Sequence, residues 1–169
     1  CMPVLLGSSE SAAGATLLVT PAGDGRKTLD AAESLWHRLV DAGATRSSML
    51  VNLGGGMVSD LGGFVASTFK RGMRYVNVPT TLLGAVDAAV GGKTGINFAG
   101  LKNEVGVFAR PESTIVSTCF FATLPQQELL SGYAEMLKHA LLSGTDAPAR
   151  ALSEVPDGPS EGLLDMMRE

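Results

Sequence analysis

The feature that most restricts the fold is Met49-Leu50-Val51-Asn52-Leu53, which runs straight into Gly54-Gly55-Gly56 and then into a helical run from about Met57 to Thr68. A short apolar stretch closed by glycine reads as a buried parallel strand. Glycines between a strand and a helix clear the way to the positive helix N-terminus, and nucleotide-binding α/β folds cradle phosphate in this way. The spacing departs from G-x-G-x-x-G because Ser59 takes the third position. A plain tight βα turn therefore stands beside the phosphate reading. Asp60 sits in the first helical turn, where an acid also simply favours the dipole. Gly62-Gly63 give that helix a face able to approach the sheet closely.

Further elements surround this unit. Ala15 to Thr20 is a short β-rich run closed by Pro21 and the turn Ala22-Gly23-Asp24-Gly25. A helix follows: Thr28 can cap it, Asp30 and Glu33 lie near its start, Ala32, Leu35, Trp36, Leu39 and Val40 repeat at three and four, and Gly43 ends it. His37, off that stripe beside Arg38, reads as solvated. Arg74 to Val78 is another strand. It ends at Pro79-Thr80-Thr81, whose hydroxyls can cap a helix from Leu82 to about Ala89 or bond a ligand at the strand's carboxyl edge. Thr114 to Thr118 is the last strand candidate, and Thr123-Leu124-Pro125 opens a helix through about Leu142, with Pro125 at its first position.

Charge is distributed unevenly. Between Leu61 and Asn103 stand Lys70, Arg71, Arg74, Lys93 and Lys102 against Asp87 alone, whereas the chain as a whole carries −4. These cations share their stretch with Gly84, Gly91, Gly92, Gly95 and Gly100, read as loop glycines, and the combination points to an anion pocket. Asp87, one turn before the Gly91–Gly95 loop, can hold Lys93 or a ligand hydroxyl, or be an ordinary exposed helix acid. On the last helix Glu135, Lys138 and His139 share a face at i, i+3 and i+4; two donors of that kind do not make a tight metal site.

The 45% hydrophobic content with 5% aromatics and 21 glycines fits an α/β protein of small-residue helices and tight turns. A pI near 5.2 argues against a nucleic-acid partner. The apolar runs are interrupted by Gly, Ser and Asp, which argues against membrane insertion, and no basic n-region of a signal peptide opens the sequence. Two cysteines, Cys1 and Cys119, make no disulfide framework, and a cytoplasmic location is expected. A start at Cys1 and an end at Glu169 without an obvious finish suggest a piece of something longer.

With these residues in order, PAGDGRKT, LGGGMVSDLGGF, KRG, VPTTLLGAVDAAVGGKTGIN, LKNEVGVF and ATLPQQELLSGYAEMLKHALL, the chain resembles the dehydroquinate synthases over roughly residues 21 to 143. The resemblance implies a Rossmann-like NAD-binding α/β domain over 1–119 and the start of an all-helical metal and substrate domain over 120–169, both incomplete. It also implies a homodimer, NAD and zinc or cobalt as cofactors, and conversion of a phosphorylated heptulosonate to dehydroquinate and phosphate. By the same resemblance Asp24, Lys27, Gly55, Gly56, Met57, Asp60, Thr80, Thr81, Phe120 and Thr123 are cofactor positions. Asp87, Lys93, Lys102, Asn103 and Lys138 are substrate and catalytic positions, Arg71 reaches the neighbouring subunit's substrate phosphate, and Glu135 is a zinc ligand.

Three departures accompany the resemblance. The family's first strand should precede Cys1, its two zinc-binding histidines lie past Glu169, and His139 stands where Tyr is frequent. Glu104 is a smaller oddity, in a place where an apolar residue is common. Sugar-phosphate cyclases that make inosose or valiolone compounds share these motifs. A non-catalytic nucleotide-binding module is the alternative from another class.

Overall fold

Short runs of Val, Leu and Thr pair side by side as five parallel strands in the order β2-β1-β3-β4-β7. The computed structural model describes residues 3–7, as backbone, and 15–143. The strands are β1 (Pro3–Gly7), β2 (Thr16–Val19), β3 (Met49–Gly54), β4 (Arg74–Pro79) and β7 (Ser113–Thr114). The chain is thus an α/β protein on a parallel sheet. A strand is present at Pro3–Gly7, hydrogen-bonded between β2 and β3. The strand expected over Thr114–Thr118 is confined to two residues at the sheet edge.

Helix α1 (Leu29–Asp41) begins where the Thr28 hydroxyl accepts from Ala31 N–H at 3.2 Å, and closes at Gly43, which adopts φ 67°. Its buried stripe is Ala32, Leu35 and Leu39, with Trp36 packed beside it; Val40 faces solvent. Helix α2 (Gly56–Thr68) is apolar almost all round and lies at the centre of the core with Leu61, Phe64 and Val65. It approaches β3 and β4 on the face that carries Leu50, Asn52, Tyr75 and Asn77, whose register pairs Leu50 with Tyr75 and Asn52 with Asn77. Glycine makes that approach possible: a Cβ on Gly62 would lie 2.0 Å from Asn52 Oδ1.

The stretch expected as a glycine loop is instead an antiparallel hairpin, β5 (Lys93–Phe98) and β6 (Leu101–Phe108). Ala99 and Gly100, at φ 51° and 80°, form its two-residue turn, and positive φ at both is what the right-handed twist of a hairpin asks for. Gly95 and Gly106 face each other across the strands so closely that a Cβ on Gly106 would meet Thr94 O at 2.0 Å. The ladder is irregular between the Ile96–Val105 and Phe98–Leu101 pairs, where Asn97 alone opposes Lys102, Asn103 and Glu104. Such a bulge turns side chains away from the strand alternation. The hairpin packs on α2, where Thr94 meets Gly63.

After β4 the backbone passes through a π-helical turn, Gly84–Ala88, rather than a regular α-helix over Leu82–Ala89. Helix α3 (Gln126–Ser143) follows Pro125, whose carbonyl accepts from Glu128 and Leu129, so the proline stands one residue before the helix. Leu129, Tyr133 and Met136 bury one face of α3 against Leu82, Ala85 and Phe121 in a second, smaller core. Leu130, Leu141 and Leu142 of this helix are exposed.

Candidate active site

A cleft of about 660 Å³ collects polar and charged side chains from five different elements. Asp60 comes from the second turn of α2, Asp87 from the π turn, Lys93 from the start of β5, Asn103 from the β6 bulge and His139 from α3, and Glu104 also reaches it. Gly91, Gly95 and Gly106 line part of its wall, where side chains would fill space. Of the expected site residues the cleft brings together Asp60, Asp87, Lys93 and Asn103.

Asp60 is the most perturbed of these groups. Burial pushes its carboxyl above the usual range, and the nearby Asp87 and Asp24 push the same way, while the Lys27 ammonium at 2.6 Å pulls against them. Desolvation wins because the site is closed on the protein side. Lys27 is itself only 2% exposed. Its ammonium reaches Asp60 Oδ2 and Asn103 Oδ1, each at 2.6 Å, and Asp24 Oδ1 at 3.4 Å. Asn97, at the bulge, ties the same corner together: its N–H donates to Lys27 O at 2.7 Å, its Nδ2 donates to Asp24 O at 2.9 Å, and its Oδ1 accepts from Asn103 N–H at 3.0 Å. Asn103 adopts φ 55°, a left-handed conformation that asparagine tolerates better than most residues.

Other expected cations lie elsewhere. Lys102 projects to Asp24 at 3.0 Å and holds that carboxyl below its usual range, chiefly by hydrogen bonding. Arg71 is exposed at the end of a 3-10 turn, Phe69–Arg71, with φ 66° following Lys70 at 50°. Lys138 turns back on its own helix to Glu135, which His139 also approaches at 3.3 Å. Lys138 is the main reason that the Glu135 carboxyl sits below its usual range. Among the described residues no group of three or more His, Cys, Asp or Glu could hold a metal ion.

The glycine turn adjoins the cleft from the other side. Gly55 is the N-cap of α2 and, having no side chain, leaves the helix start without a side-chain cap. A Cβ on Gly55 would meet Thr81 Cγ2 at 3.1 Å, and one on Gly56 would meet Ala88 at 3.2 Å, so the turn is packed on the π turn that carries Asp87. Thr80 N–H donates to Gly54 O at 2.9 Å. The Thr81 hydroxyl accepts from Gly84 N–H at 3.0 Å, a capping contact. Met57 packs at the edge of the main core and Phe120 at the edge of the second, and Thr123 is exposed just before α3. Asn97, and the part that His139 and Glu104 take in lining the cleft, were not legible as site features; only the left-handed turn after Phe98 hints at how the hairpin brings Asn97 to Lys27.

The chain is similar to known proteins along most of these elements. The 3-dehydroquinate synthase N-terminal family matches residues 17–131. A 3-dehydroquinate synthase of Parabacteroides distasonis is 54% identical over 132 residues, which are 78% of this chain and 37% of that protein. One from Pyrococcus abyssi is 50% identical over 74% of this chain, again covering 37% of its own length. The chain thus spans little more than a third of these relatives. Among solved structures, a 2-epi-5-epi-valiolone synthase from Streptomyces hygroscopicus with NAD+ and Zn2+ bound superposes with TM-score 0.78 at 32% identity, over 90% of this chain and 44% of that one. A 2-deoxy-scyllo-inosose synthase complexed with carbaglucose-6-phosphate, NAD+ and Co2+ gives TM-score 0.75 at 25% identity, over 83% and 42%. The strand-glycine-helix unit, the paired threonines and the cleft residues other than His139 fall within the matched span, and the chain belongs to the 3-dehydroquinate synthase N-terminal family.

Proposed function

We propose that this chain forms the NAD- and substrate-binding part of a 3-dehydroquinate synthase, a phosphate-eliminating lyase that converts 3-deoxy-arabino-heptulosonate 7-phosphate to 3-dehydroquinate in aromatic amino-acid biosynthesis. The observation that carries the reading is the cleft in which Asp60, Asp87, Lys93 and Asn103 converge beside the uncapped start of α2. Residues 1–119 are assigned to the cofactor domain and 120–169 to the beginning of a helical one, in a cytoplasmic homodimer.

The glycine turn fits a dinucleotide. Gly55 and Gly56 start α2 without a side chain and without a side-chain cap, and the positive end of a helix of this kind suits a pyrophosphate. NAD, when bound, supplies hydride exchange with a ring alcohol. Lys93 neutralises a substrate carboxylate or phosphate, and Asp87 accepts from a substrate hydroxyl or takes up a proton near it. Glu135 does not by itself fit a zinc or cobalt site, since Lys138 engages it and the described residues around it, His139 included, make no set of three ligands. The proposal therefore includes two further ligands from outside this chain, and the 169-residue chain binds NAD without turning over.

Sequence identity favours dehydroquinate synthase over the inosose and valiolone enzymes, at 54% and 50% against 25% and 32%. Calorimetric titration of the chain with NAD, alongside phosphate-release assays of an enzyme completed with a relative's C-terminal part, tests the reading. Saturable NAD binding and turnover of the heptulosonate are expected. Turnover of sedoheptulose 7-phosphate or glucose 6-phosphate instead would reassign the substrate, and no NAD binding would leave a module without the cofactor role.

A further inference from the structure

Ala89 closes the π turn, and because the helix does not continue past it, its carbonyl is an orphan acceptor. The residue is fully buried, so the oxygen needs a partner from the protein. Two side chains of the sheet supply it: Asn77 Nδ2 on β4 donates at 3.1 Å and the Thr114 hydroxyl on β7 donates at 2.9 Å. This one oxygen fixes the polarity of the contacts behind it. A carbonyl only accepts, so Asn77 turns Nδ2 to it and Oδ1 away; Asn52 on β3 then presents its own Nδ2, which donates to Asn77 Oδ1 at 2.9 Å. Asn52 Oδ1 is left buried against Gly62 of α2 with no hydrogen-bond partner among the described residues. An orphaned buried oxygen costs stability, and two apolar side chains, usual in a parallel sheet, would avoid that cost. Stability therefore does not account for the amide pair. Its location does, since the pair touches both walls of the cleft. Gly62 stands two residues after Asp60, and Ala89 two residues after Asp87, whose carbonyl accepts from Val90 and Gly91 N–H, so that Asp87 and Ala89 belong to one hydrogen-bonded turn.

We propose that Asn77 and Thr114, with Asn52 behind them, are positioning residues: they clamp the Ala89 carbonyl to the sheet and so set where Asp87 stands relative to Asp60 across the cleft. None of the three lines the cleft, so each acts through the turn and not on a ligand. The consequence for binding rests on the reading of the cleft as a sugar-phosphate site, whereas the clamp itself does not. A π turn is an uncommon conformation that recurs at functional sites, and here the sheet holds its carboxyl end in place.

The test reads the Asp60 carboxyl by NMR titration in the 169-residue chain. Burial chiefly raises that group and Lys27 opposes the rise, while the charge of Asp87 adds to it, so Asp87→Asn should make Asp60 titrate lower. Thr114→Val keeps the side-chain shape and deletes one hydrogen bond to Ala89 O; Asn77→Leu deletes the other. Each should loosen the turn and lower the Asp60 titration in the same direction, by less than Asp87→Asn does. Combined with Asp87→Asn, neither should lower it further, because the effect passes through Asp87. An Asp60 titration that Asp87→Asn does not move, or that Thr114→Val and Asn77→Leu leave in place, overturns the proposal, and so does a shift that persists without the Asp87 charge. Thr114→Val alone carries the test if Asn77→Leu does not fold. Calorimetric titration with 3-deoxy-arabino-heptulosonate 7-phosphate should show Asn77→Leu weakened by about tenfold, and Leu39→Ala, a core truncation on α1, within about twofold of the parent. Equal losses in the two variants would leave Asn77 with a structural role only. If the parent chain does not bind the sugar phosphate, the proposed function falls, while the Asp60 titration still decides whether the clamp sets Asp87.

Discussion

Gly62→Ala tests how α2 is seated on the sheet. On a free helix the change gains about 1 kcal/mol, because alanine loses less backbone entropy than glycine. Here the new methyl would lie 2.0 Å from Asn52 Oδ1, 2.5 Å from its Cγ and 2.9 Å from its Nδ2. Asn52 is fully buried and cannot swing into solvent. Its Nδ2 donates to Asn77 Oδ1 at 2.9 Å, and Asn77 Nδ2 donates in turn to Ala89 O at 3.1 Å, next to the π turn that bears Asp87. Either α2 lifts off the sheet, at an overpacking cost of about 1–3 kcal/mol, or Asn52 rotates and orphans a buried donor, at about 1–3 kcal/mol. Some of each, less the propensity gain, leaves a net loss of about 2–3 kcal/mol, more than a surface substitution would give. Urea unfolding followed by circular dichroism should show the midpoint falling by about 1–1.5 M at an unchanged slope of about 2 kcal/mol/M. The same substitution in an Asn52→Ala background should cost much less, because the oxygen it collides with is gone. A Gly62→Ala chain as stable as the parent would mean that the helix does not approach β3 as closely as the structure has it.

Other expectations follow from the site. In an enzyme completed with a relative's C-terminal part, Lys93→Ala should lower kcat/KM by at least about a hundredfold with NAD affinity nearly unchanged, as loss of a charge-assisted substrate contact does; steady-state kinetics within a few-fold of the parent would leave the lysine without that role. Gly55→Val should weaken NAD binding through the clash of its side chain with Thr81 and the blocked approach to α2, as read by calorimetry on a variant whose circular dichroism is unchanged. Asp24 has a lowered pKa, so its pairing stabilises the fold above its unfolded pKa and that contribution is lost as pH falls through the folded value. Lys102→Met removes the largest cause, and carboxyl NMR should show Asp24 titrating higher and the acid end of the stability curve shifting upward; an unmoved titration would mean that the ion pair is not formed. Dialysed chain should hold no stoichiometric zinc by elemental analysis, and retained zinc would show that the described residues build a site after all.

The elements legible in the sequence are those set by local chemistry. Thr28 and Gly43 bracket α1, and β3, β4 and β2 read as apolar runs with turn residues after them, because capping and burial act over a few residues. The hairpin was not legible for the opposite reason. Gly91, Gly92 and Gly95 read as loop residues, yet Gly95 is a strand residue whose lack of a side chain is needed because Val105 O on the facing strand would lie 2.8 Å from a Cβ there, a contact that exists only once the hairpin has formed. Val-Leu-Leu in β1 was too short a run to stand out before its pairing with β2 and β3 is known.

The site divides along the same line. Asp87 and Lys93 flank a conspicuous glycine pair, so their convergence on one cleft is already suggested by the stretch that joins them. Lys27 sits in a turn rich in Gly and charge, where a lysine ordinarily keeps its ammonium in water. It is buried only because Asp60, 33 residues on, and Asn103, 76 residues on, arrive at the same point. A lone buried ammonium would be costly, and a buried carboxylate beside Asp87 equally so, whereas together they offset one another. The identity of each residue at this corner is therefore explained by the others and not by its own neighbours in the chain. Substituting any one of the three should raise the cost of keeping the remaining two, so their effects on stability should couple rather than add.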